Sequence, residues 1–423
     1  MTDDPVHVRE ADAGRRGLLG EESARAALVR LVRDEGRRVL AALVRHTGDL
    51  QLAEDAVQDA VLRALDIWPR TGVPPEPRAW LTLTARRRAT DLVRREAART
   101  GKEAEAVDLL EPADDEPPDV VRDDQLRLVF TCCHPALAVE TQVALALRTL
   151  CGLSTEEVGR ALLVPEATMS KRLTRAKVKI AKARIPYRVP DAAELPDRLR
   201  GVAGTVYLLF NEGYPRPDGT TLVDEAVRLA RLLRELMPDE PAVLGLLALL
   251  LLHDSRRAAR FDANCHPVLL ADQDRRLWRG DLVEEGVVLV GEGLRRTPER
   301  PDPYVVQAAI AACHALAPTA ADTDWGAVLS WYDVLLTVHD TPVVRLNRAV
   351  AVGERHGSAA ALAELDALSG LAGYPLWHAT RGELLARLDR PAEARDAFGT
   401  ALALPLNDAQ RVHVAGRLAA LTG

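Results

Sequence analysis

The chain has 423 residues, which is enough for two or three domains with separate cores. Hydrophobic residues make up 48% of the sequence and aromatic residues only 4%, and long stretches are rich in Ala, Leu, Val, Arg and Glu. This composition predicts an all-α protein and argues against a β-rich fold. The net charge of −7, taken as an average, argues against a protein that binds nucleic acid.

The charge is nevertheless distributed in blocks along the chain. Residues 24–99 and 154–184 are rich in basic side chains, and an acidic, proline-containing run at 103–124 lies between them. Such blocks are typical of basic binding faces separated by a solvated linker, which we place at 100–121.

Several features predict a cytoplasmic protein. The charged N-terminus does not resemble a signal peptide, and the apolar run Ala242–Leu252 is shorter than the ~20 residues that cross a bilayer, so we expect no membrane partner. Sparse cysteines without a CxxC pair fit free thiols in a reducing cytosol. They are Cys132, Cys133, Cys151, Cys265 and Cys313. His134 beside the first two would suggest a metal site, but no second ligand pair stands at zinc spacing, so we expect neither metal nor cofactor.

The first helical block covers residues 21–99. Within Leu52–Trp68, apolar side chains recur at i, i+3, i+4, which is the period of one helix face. These are Ala53, Ala56, Val57, Ala60, Val61, Ala64, Leu65 and Trp68. The opposite face is polar and mostly acidic, with Glu54, Asp55, Gln58 and Asp59. Taken alone, this second face would be read as an ordinary solvated surface.

An arginine-rich helix follows, from about Arg78 to Arg99, after a predicted proline-rich loop at Pro69–Pro77. Clustered arginines attract phosphate regardless of sequence, although they can also serve solubility alone. The candidates on this helix are Arg86, Arg87, Arg88, Asp91, Arg94 and Arg95. Trp80 is interpreted as a core residue rather than a residue that stacks on bases.

The second block, residues 122–185, carries a helix-turn-helix pattern. Ser154 and Glu157 form a capping box, which marks the start of a short helix, and Pro165 fits the start of the next one. This second helix, Glu166–Ala183, is predicted to bury Met169, Leu173, Ala176 and Ile180. Its outward side chains could enter the major groove of DNA. They are Ser170, Lys171, Arg172, Thr174, Arg175 and Lys177.

The order and spacing of these helices resemble the extracytoplasmic-function (ECF) sigma factors of bacterial RNA polymerase. AEDAVQDAVLRAL, which starts at Ala53, is similar to the family's region 2 helix that docks on the polymerase clamp. PRAWLTLTARRRATDLVRRE, from Pro77, is similar to the W-L-x-x-x-A-R-x-x-x-D-x-x-R segment that recognises and melts the −10 promoter element. LSTEEVGRALLVPEATMSKRLTRAKVKI, from Leu153, is similar to region 4, which reads the −35 element.

The resemblance implies a role for each set of residues. The polar face at positions 54–59 would contact core RNA polymerase, and the loop at 69–77 would help to hold an unstacked base. The arginine-rich helix would act at −10. In the helix-turn-helix, Lys171 and Arg175 would read bases of promoter DNA at −35, while Arg172 and Lys177 would hold phosphates. Such a protein is not an enzyme.

Residues 197–290 and 291–423 are predicted to form a helical extension. Gly382, Ala394, Phe398 and Ala401 have the spacing of a tetratricopeptide repeat, and Ala349, Ala361 and Leu365 indicate an earlier copy, with a plain helical bundle as the alternative. GTVYLLFNEGY (204–214) and LLADQDRRLW (269–278) resemble signature segments of an ECF subgroup with such an extension. The residues that stand out in these two segments are Phe210, Asn211, Glu212, Tyr214, Asp272, Gln273, Asp274, Arg275 and Trp278.

The resemblance implies that the extension controls or supports activity, with a protein regulator as a possible partner. Two alternatives remain open at this point. A helix-turn-helix repressor or activator would work without polymerase and would often be a symmetric dimer. An enzyme or peptide-binding scaffold could use Glu212, His253, Asp254 and Asp274, but no nucleophile motif, phosphate loop or metal spacing supports catalysis.

Overall fold

The structure is a computed structural model of the chain, and it describes residues 5–100, 118–162, 164–183, 185–217, 219–263, 265–406 and 408–421. Within these residues the fold is all-α, as the composition predicts, and β structure is limited to one bridge between Phe261 and Pro267. Residues 101–117 of the predicted linker lie outside the described ranges. The chain divides into two compact units, Met1–Thr205 and Val206–Gly423.

The first unit contains two groups of helices, one on either side of residues 101–117. Its described helices are α1 (Pro5–Thr47), α2 (Leu50–Thr71), α3 (Pro77–Thr100), α4 (Pro118–Cys132), α5 (Val139–Leu145), α6 (Thr155–Ala161), α7 (Glu166–Lys182) and the first half of α8 (Leu195–Gly213). Helix α5 continues directly into a π-helical turn at Ala146–Leu150. The division between the two units falls inside α8.

Helix α2 is longer than the sequence predicts. It begins where the side chain of Asp49 accepts hydrogen bonds from two backbone amides, and it ends at Gly72, whose φ of 83° favours glycine. Pro69 lies inside the last turn of α2 and not in a loop, so the predicted loop at 69–77 is too long. Pro69 has no amide hydrogen to donate within the helix, but the helix continues past it and the Gly72 amide donates to Trp68 O at 2.9 Å.

A stripe of alanines on α2 lets α1 and α3 pack closely against it. All four alanines of the predicted apolar face are fully buried, namely Ala53, Ala56, Ala60 and Ala64. Trp68 closes this core and meets the half-buried Trp80 edge-on, with 5.5 Å between ring centroids. Leu65, which the sequence places on the same apolar face, is instead 40% exposed.

The predicted helix-turn-helix is present in α6 and α7. Ser154 Oγ accepts a hydrogen bond from the Glu157 amide at 3.1 Å, and the Glu157 carboxylate accepts one from the Ser154 amide at 2.7 Å, which completes the capping box. Helix α7 packs against α5 and α6. Its buried side chains are the four that the sequence predicts, Met169, Leu173, Ala176 and Ile180.

The second unit starts with the remainder of α8 and consists of consecutive helices, most of them joined by short connections. Its further described helices are α9 (Thr220–Leu236), α10 (Pro241–Asp254), α11 (Gly280–Arg296), α12 (Pro303–Leu316), α13 (Trp325–Val338), α14 (Pro342–His356), α15 (Ser358–Asp366), α16 (Pro375–Arg387), α17 (Pro391–Ala403) and α18 (Asp408–Ala420). Short 3₁₀ turns occupy part of the long connection between α10 and α11.

Helix α10 is the buried helix at the centre of α9, α11 and α12. Every residue from Val243 to Leu252 is buried, and α9, α11 and α12 pack around it. Gly245 allows α12 to approach α10 closely, since a Cβ atom there would collide with the backbone of Val305 at the start of α12. The apolar run that is too short for a membrane span is therefore a core helix.

The C-terminal helices form pairs with the residue pattern of tetratricopeptide repeats. Helices α14 and α15 pack together, as do α16 and α17. Phe398 on α17 is 1% exposed and lies over Gly382 on α16, and the other predicted repeat positions share the same core. These positions are Ala349, Ala361, Leu365, Ala394 and Ala401. The small residue on one helix thus makes room for the aromatic ring on the next.

Replacement by alanine should change the stability in opposite directions at two glycines of the α16–α17 pair. A Cβ atom on Gly382 would lie 2.8 Å from the Phe398 ring, so Gly382→Ala should lower the free energy of unfolding by ~1–3 kcal/mol. Gly399 on α17 has open space around its Cβ position, so Gly399→Ala should raise that free energy by up to ~1 kcal/mol. Urea denaturation of both variants measures the difference, and equal effects would contradict the close approach at Gly382.

Candidate nucleic-acid interface

Helix α7 separates a buried apolar face from an exposed polar one. Ser170, Lys171, Thr174 and Arg175 are all exposed, and their spacing of i, i+1, i+4 and i+5 places them on one side of the helix. Thr174 Oγ1 donates to the Ser170 carbonyl at 2.9 Å, which fixes its rotamer. Four of the six residues predicted to contact the −35 element therefore lie together on the outer face.

The other two predicted −35 residues are placed differently. Arg172 is half-buried at the side of α7. The Lys177 side chain is only 14% exposed, because its ammonium group forms an ion pair with Glu54 on α2. Lys177 is thus engaged by protein in this structure and not on the free outer face, which corrects the sequence-based placement.

Gly159 is a residue of the helix-turn-helix that the sequence analysis did not single out. It is buried in α6, and a Cβ atom there would lie 2.7 Å from the carbonyl oxygen of Val164 in the turn. The Val164 amide in turn donates to the Gly159 carbonyl at 2.8 Å. A glycine at this point therefore lets the turn close tightly and fixes the angle at which α7 leaves it.

Helix α3 presents a second charged face. Arg87, Asp91, Arg94 and Arg95 are exposed along its length. Arg86 and Arg88 are half-buried, and the Arg88 guanidinium is bound to the carboxylate of Asp59 on α2. The structure therefore joins a predicted −10 residue to a predicted polymerase residue, and it leaves four of the six predicted −10 residues accessible.

The polar face of α2 is only partly solvated. Asp55 and Gln58 are exposed and Asp59 is half-buried, but Glu54 is 6% exposed. Besides its ion pair with Lys177, the Glu54 carboxylate accepts a hydrogen bond from Thr149 Oγ1 at 3.4 Å. The prediction that Glu54 belongs to a solvated face is therefore wrong, since it is buried against the second group of helices.

Further polar contacts hold the two groups of helices of the first unit together. Arg45 on α1 donates to the carboxylate of Asp124 on α4 at 2.7 Å, and Asp124 has a side chain only 2% exposed. The Tyr187 hydroxyl, beyond α7, has its single proton within hydrogen-bonding reach of two carbonyls, those of Ala41 at 2.9 Å and Asp124 at 3.1 Å. Burial and the nearby Asp124 carboxylate raise the pKa of Tyr187, so its hydroxyl stays protonated and remains a donor.

The cysteines of the first unit are buried thiols. Burial raises the pKa of Cys133 to about 12 and raises that of Cys132 as well, so both are protonated at neutral pH. In the part of the chain that the structure describes, no cluster of three or more His, Cys, Asp or Glu could hold a metal ion. None of the described helices is both long and apolar enough to cross a membrane.

In the second unit, the first signature segment is attached to the loop after α10. Phe210 is fully buried and stacks on Tyr214 at 5.0 Å. The Tyr214 hydroxyl accepts a hydrogen bond from Arg256 Nε at 2.9 Å, and the Arg260 guanidinium lies over the Tyr214 ring at 3.4 Å. Asn211 and Glu212 are exposed, so they do not take part in these contacts.

The second signature segment braces the end of α12. Arg275 donates to the carbonyls of His314 and Ala317 at 2.6 and 2.7 Å, and its guanidinium lies 4.5 Å from the ring centroid of Trp278. Gln273 is buried and bonds to the Val268 carbonyl. The surface positions are Asp272, which is exposed, and Asp274, which pairs with Arg276. Most of these residues therefore tie helices together.

Comparison with known protein families agrees with this architecture. Residues 31–99 match the family model for Sigma-70 region 2, and residues 127–180 match that for Sigma-70, region 4. Residues 198–293 match a family of unknown function (DUF6596). The first unit thus contains the two helical modules of sigma-70-type transcription initiation factors.

Individual relatives identify the type of sigma factor. The ECF RNA polymerase sigma factor SigL of Mycobacterium tuberculosis (strain ATCC 25618 / H37Rv) is 32% identical over 156 residues, which cover 36% of this chain and 87% of that protein. The chain belongs to the ECF sigma factors. An uncharacterized protein of Rhizobium meliloti (strain 1021) is 46% identical over 391 residues, 89% of this chain and 92% of that protein. The crystal structure of yeast Tom70 aligns with a TM-score of 0.36 and 12% identity, covering 100% of this chain and 89% of that one.

The ion pair between Glu54 and Lys177 should show strong coupling in a double-mutant cycle. Removing one partner leaves the other charge buried, so Glu54→Gln or Lys177→Met should each cost ~3–5 kcal/mol of stability, and the double variant should cost less than their sum. The more exposed pair of Arg88 and Asp59 serves as the control and should couple by ~0–1 kcal/mol.

Native-state hydrogen exchange of the α2 amides gives the free energies for this cycle. Additive losses at Glu54 and Lys177 would show that the two side chains do not interact in solution.

Proposed function

We propose that this sigma factor binds core RNA polymerase in the cytoplasm and directs it to promoters through two helices, with α7 at the −35 element and α3 at the −10 element. The observation that carries this proposal is the exposed basic face of α7, whose opposite face is fixed in a capped helix-turn-helix. A helix with four core-facing side chains on one side cannot rotate, so its outer side chains point in one direction.

Base reading at −35 is assigned to Lys171 and Arg175. Both are exposed near the middle of the outer face, and arginine or lysine can bond to the N7 and O6 atoms of guanine in the major groove. Ser170 and Thr174 flank them and are able to contact bases or backbone. Arg172, at the side of the helix, has the position of a phosphate contact.

Recognition at −10 is assigned to the open face of α3. Arg87, Asp91, Arg94 and Arg95 are exposed there, with three positive charges and one acceptor. Arginines provide phosphate attraction, and the carboxylate of Asp91 can accept a hydrogen bond from an exocyclic base amine. Arg88 positions α3 against α2 through Asp59 and is a less direct candidate than the sequence alone indicates.

The polymerase contact is assigned to a revised face of α2. Asp55 and Gln58 are followed at helical spacing by Leu62 and Leu65, which are 62% and 40% exposed. Two exposed leucines beside polar groups are typical of a protein–protein contact, in which burial of apolar area supplies free energy and polar residues supply specificity. Glu54 is not part of this face because it is buried.

The contact between Glu54 and Lys177 has to open when both promoter elements are bound. Elements centred at −10 and −35 are about 25 base pairs apart, or about 85 Å of B-DNA at 3.4 Å per base pair. Side chains of α2 and α7 in direct contact cannot span such a distance. This arrangement is therefore proposed as the closed form of the free protein, and the segment that joins α3 to α4 as the tether that lets the modules separate.

The helical extension is proposed to regulate this activity. Its signature residues mostly hold helices of the second unit to one another, which fits a folded regulatory domain better than an active site. A protein regulator could bind its exposed signature residues Asn211, Glu212 and Asp272. A repressor that works without polymerase is the alternative function, and co-purification with core polymerase separates the two.

The effect of Arg175→Ala tests the −35 assignment. Loss of a guanidinium that reads one base should cost ~1–3 kcal/mol of promoter binding and should relax specificity at a single −35 position. Arg172→Ala serves as the matched control, because a phosphate contact should weaken binding to all sequences about equally. Run-off transcription with core polymerase on a set of single-base −35 variants gives both values. An equal loss on every promoter for Arg175→Ala would reassign it to phosphate.

A further inference from the structure

A cavity of about 400 Å³ lies inside the second unit, between α8, α10, α12, α13 and α14. This volume is within the usual range of small-molecule sites, ~300–1,000 Å³. It is independent of the two DNA-facing helices, and no role proposed above uses it. Both signature segments reach it, since Trp278 lines the cavity and Tyr214 is bonded to the lining residue Arg256.

The walls combine apolar side chains with a few polar ones. Leu252, Ile310 and Leu335 contribute aliphatic surface, and the rings of Tyr207, Tyr332 and Trp278 contribute aromatic surface. The polar part includes Arg256, His253 and His314. No aspartate or glutamate lines the cavity in the described part of the chain.

Arg256 is the charged group of the cavity and lacks an acidic partner. Its Nε donates to the Tyr214 hydroxyl at 2.9 Å, and its Nη2 lies 3.2 Å from His253 Nδ1. The next residue, Arg257, by contrast pairs with both Asp254 and Asp224. Among the described residues, the positive charge of Arg256 is therefore not neutralised by any ion pair.

The histidines beside Arg256 are neutral hydrogen-bond donors. Because a guanidinium can only donate, His253 Nδ1 accepts from Arg256, and the ring proton is then on Nε2. Burial, and then the charges of Arg256 and Arg260, lower the pKa of His253 to about 3. Burial, and then the charges of Arg256 and Arg275, lower the pKa of His314 to about 4. At neutral pH the site thus carries positive charge from arginine and neutral imidazoles.

The geometry points to a binding site for a small organic anion, in which a carboxylate or phosphate contacts Arg256 and His253 while an apolar or aromatic body fills the rest of the cavity. An anion would neutralise a half-buried guanidinium that has no acidic partner among the described residues, and charge-assisted hydrogen bonds to arginine are among the stronger ones in proteins. A cation would be repelled by the same charge. The lining comes from α8 and α10 in the predicted part 197–290 and from α12, α13 and α14 in the predicted part 291–423. Such a ligand would therefore hold helices of these two parts together.

The binding test uses the full chain and four probes of similar size. Phenylacetate and phenyl phosphate carry the anion, phenylacetamide is neutral, and phenethylamine is a cation. Isothermal titration calorimetry gives the dissociation constant of each probe. We expect phenylacetate or phenyl phosphate to bind at least about tenfold more tightly than the amide, and phenethylamine not to bind. The tighter of the two anions identifies the ligand class.

Variants locate the binding. Arg256→Gln should weaken binding of the anion at least about tenfold, whereas Arg276→Gln, at a side chain 90% exposed and outside the cavity, should change it less than about twofold. Ala311→Leu, which fills the cavity while keeping Arg256, should also abolish binding and covers the case that Arg256→Gln does not fold. Equal affinity for amide and anion, binding that survives Ala311→Leu, or no binding of either anion would overturn the proposal.

Discussion

The buried ion pair between Glu54 and Lys177 connects the two functional modules of this sigma factor. One partner comes from the helix assigned to polymerase and the other from the helix assigned to DNA, 123 residues further along the chain. Two charges withdrawn from water in this way are stable only as long as they stay together. In the proposed mechanism the free protein is therefore held with the two modules in contact, and binding to polymerase and promoter would supply the free energy that separates them.

The local structure of the helix-turn-helix could be predicted because local rules determine it. The capping box at Ser154 sets where α6 starts, and the apolar period of α7 decides which side chains face the core. The same period fails for α2. The apolar period of α2 identifies one buried face, the alanine stripe, and so places Glu54 in solvent. It contains no information on a second contact made by residues far away in the sequence, such as Lys177. Leu65 belongs to the predicted apolar face but is exposed, because the buried face of α2 is narrower than its row of apolar residues.

In the extension, too, features set by nearby residues could be predicted from the sequence, and features that join distant segments could not. Its helices and the contact of Gly382 with Phe398 follow from repeat spacing. The cavity does not, because its lining comes from five helices and a connecting loop, and Arg256 was not among the residues that the sequence singled out. The two signature segments meet around it only in the folded chain. A sequence motif in this region therefore indicates importance without showing that the residues share a site.

Opening of the two modules on a promoter is measured most directly by the distance between fluorophores on α2 and α7, at the exposed positions Arg63 and Lys182. Single-molecule energy transfer should report a short distance in the free full-length protein, and a distance longer by tens of ångströms after core RNA polymerase and promoter DNA are added. An unchanged distance in a transcribing complex, or no association with core polymerase at all, would contradict the central claim that the two modules carrying these helices bind one promoter at two separate places.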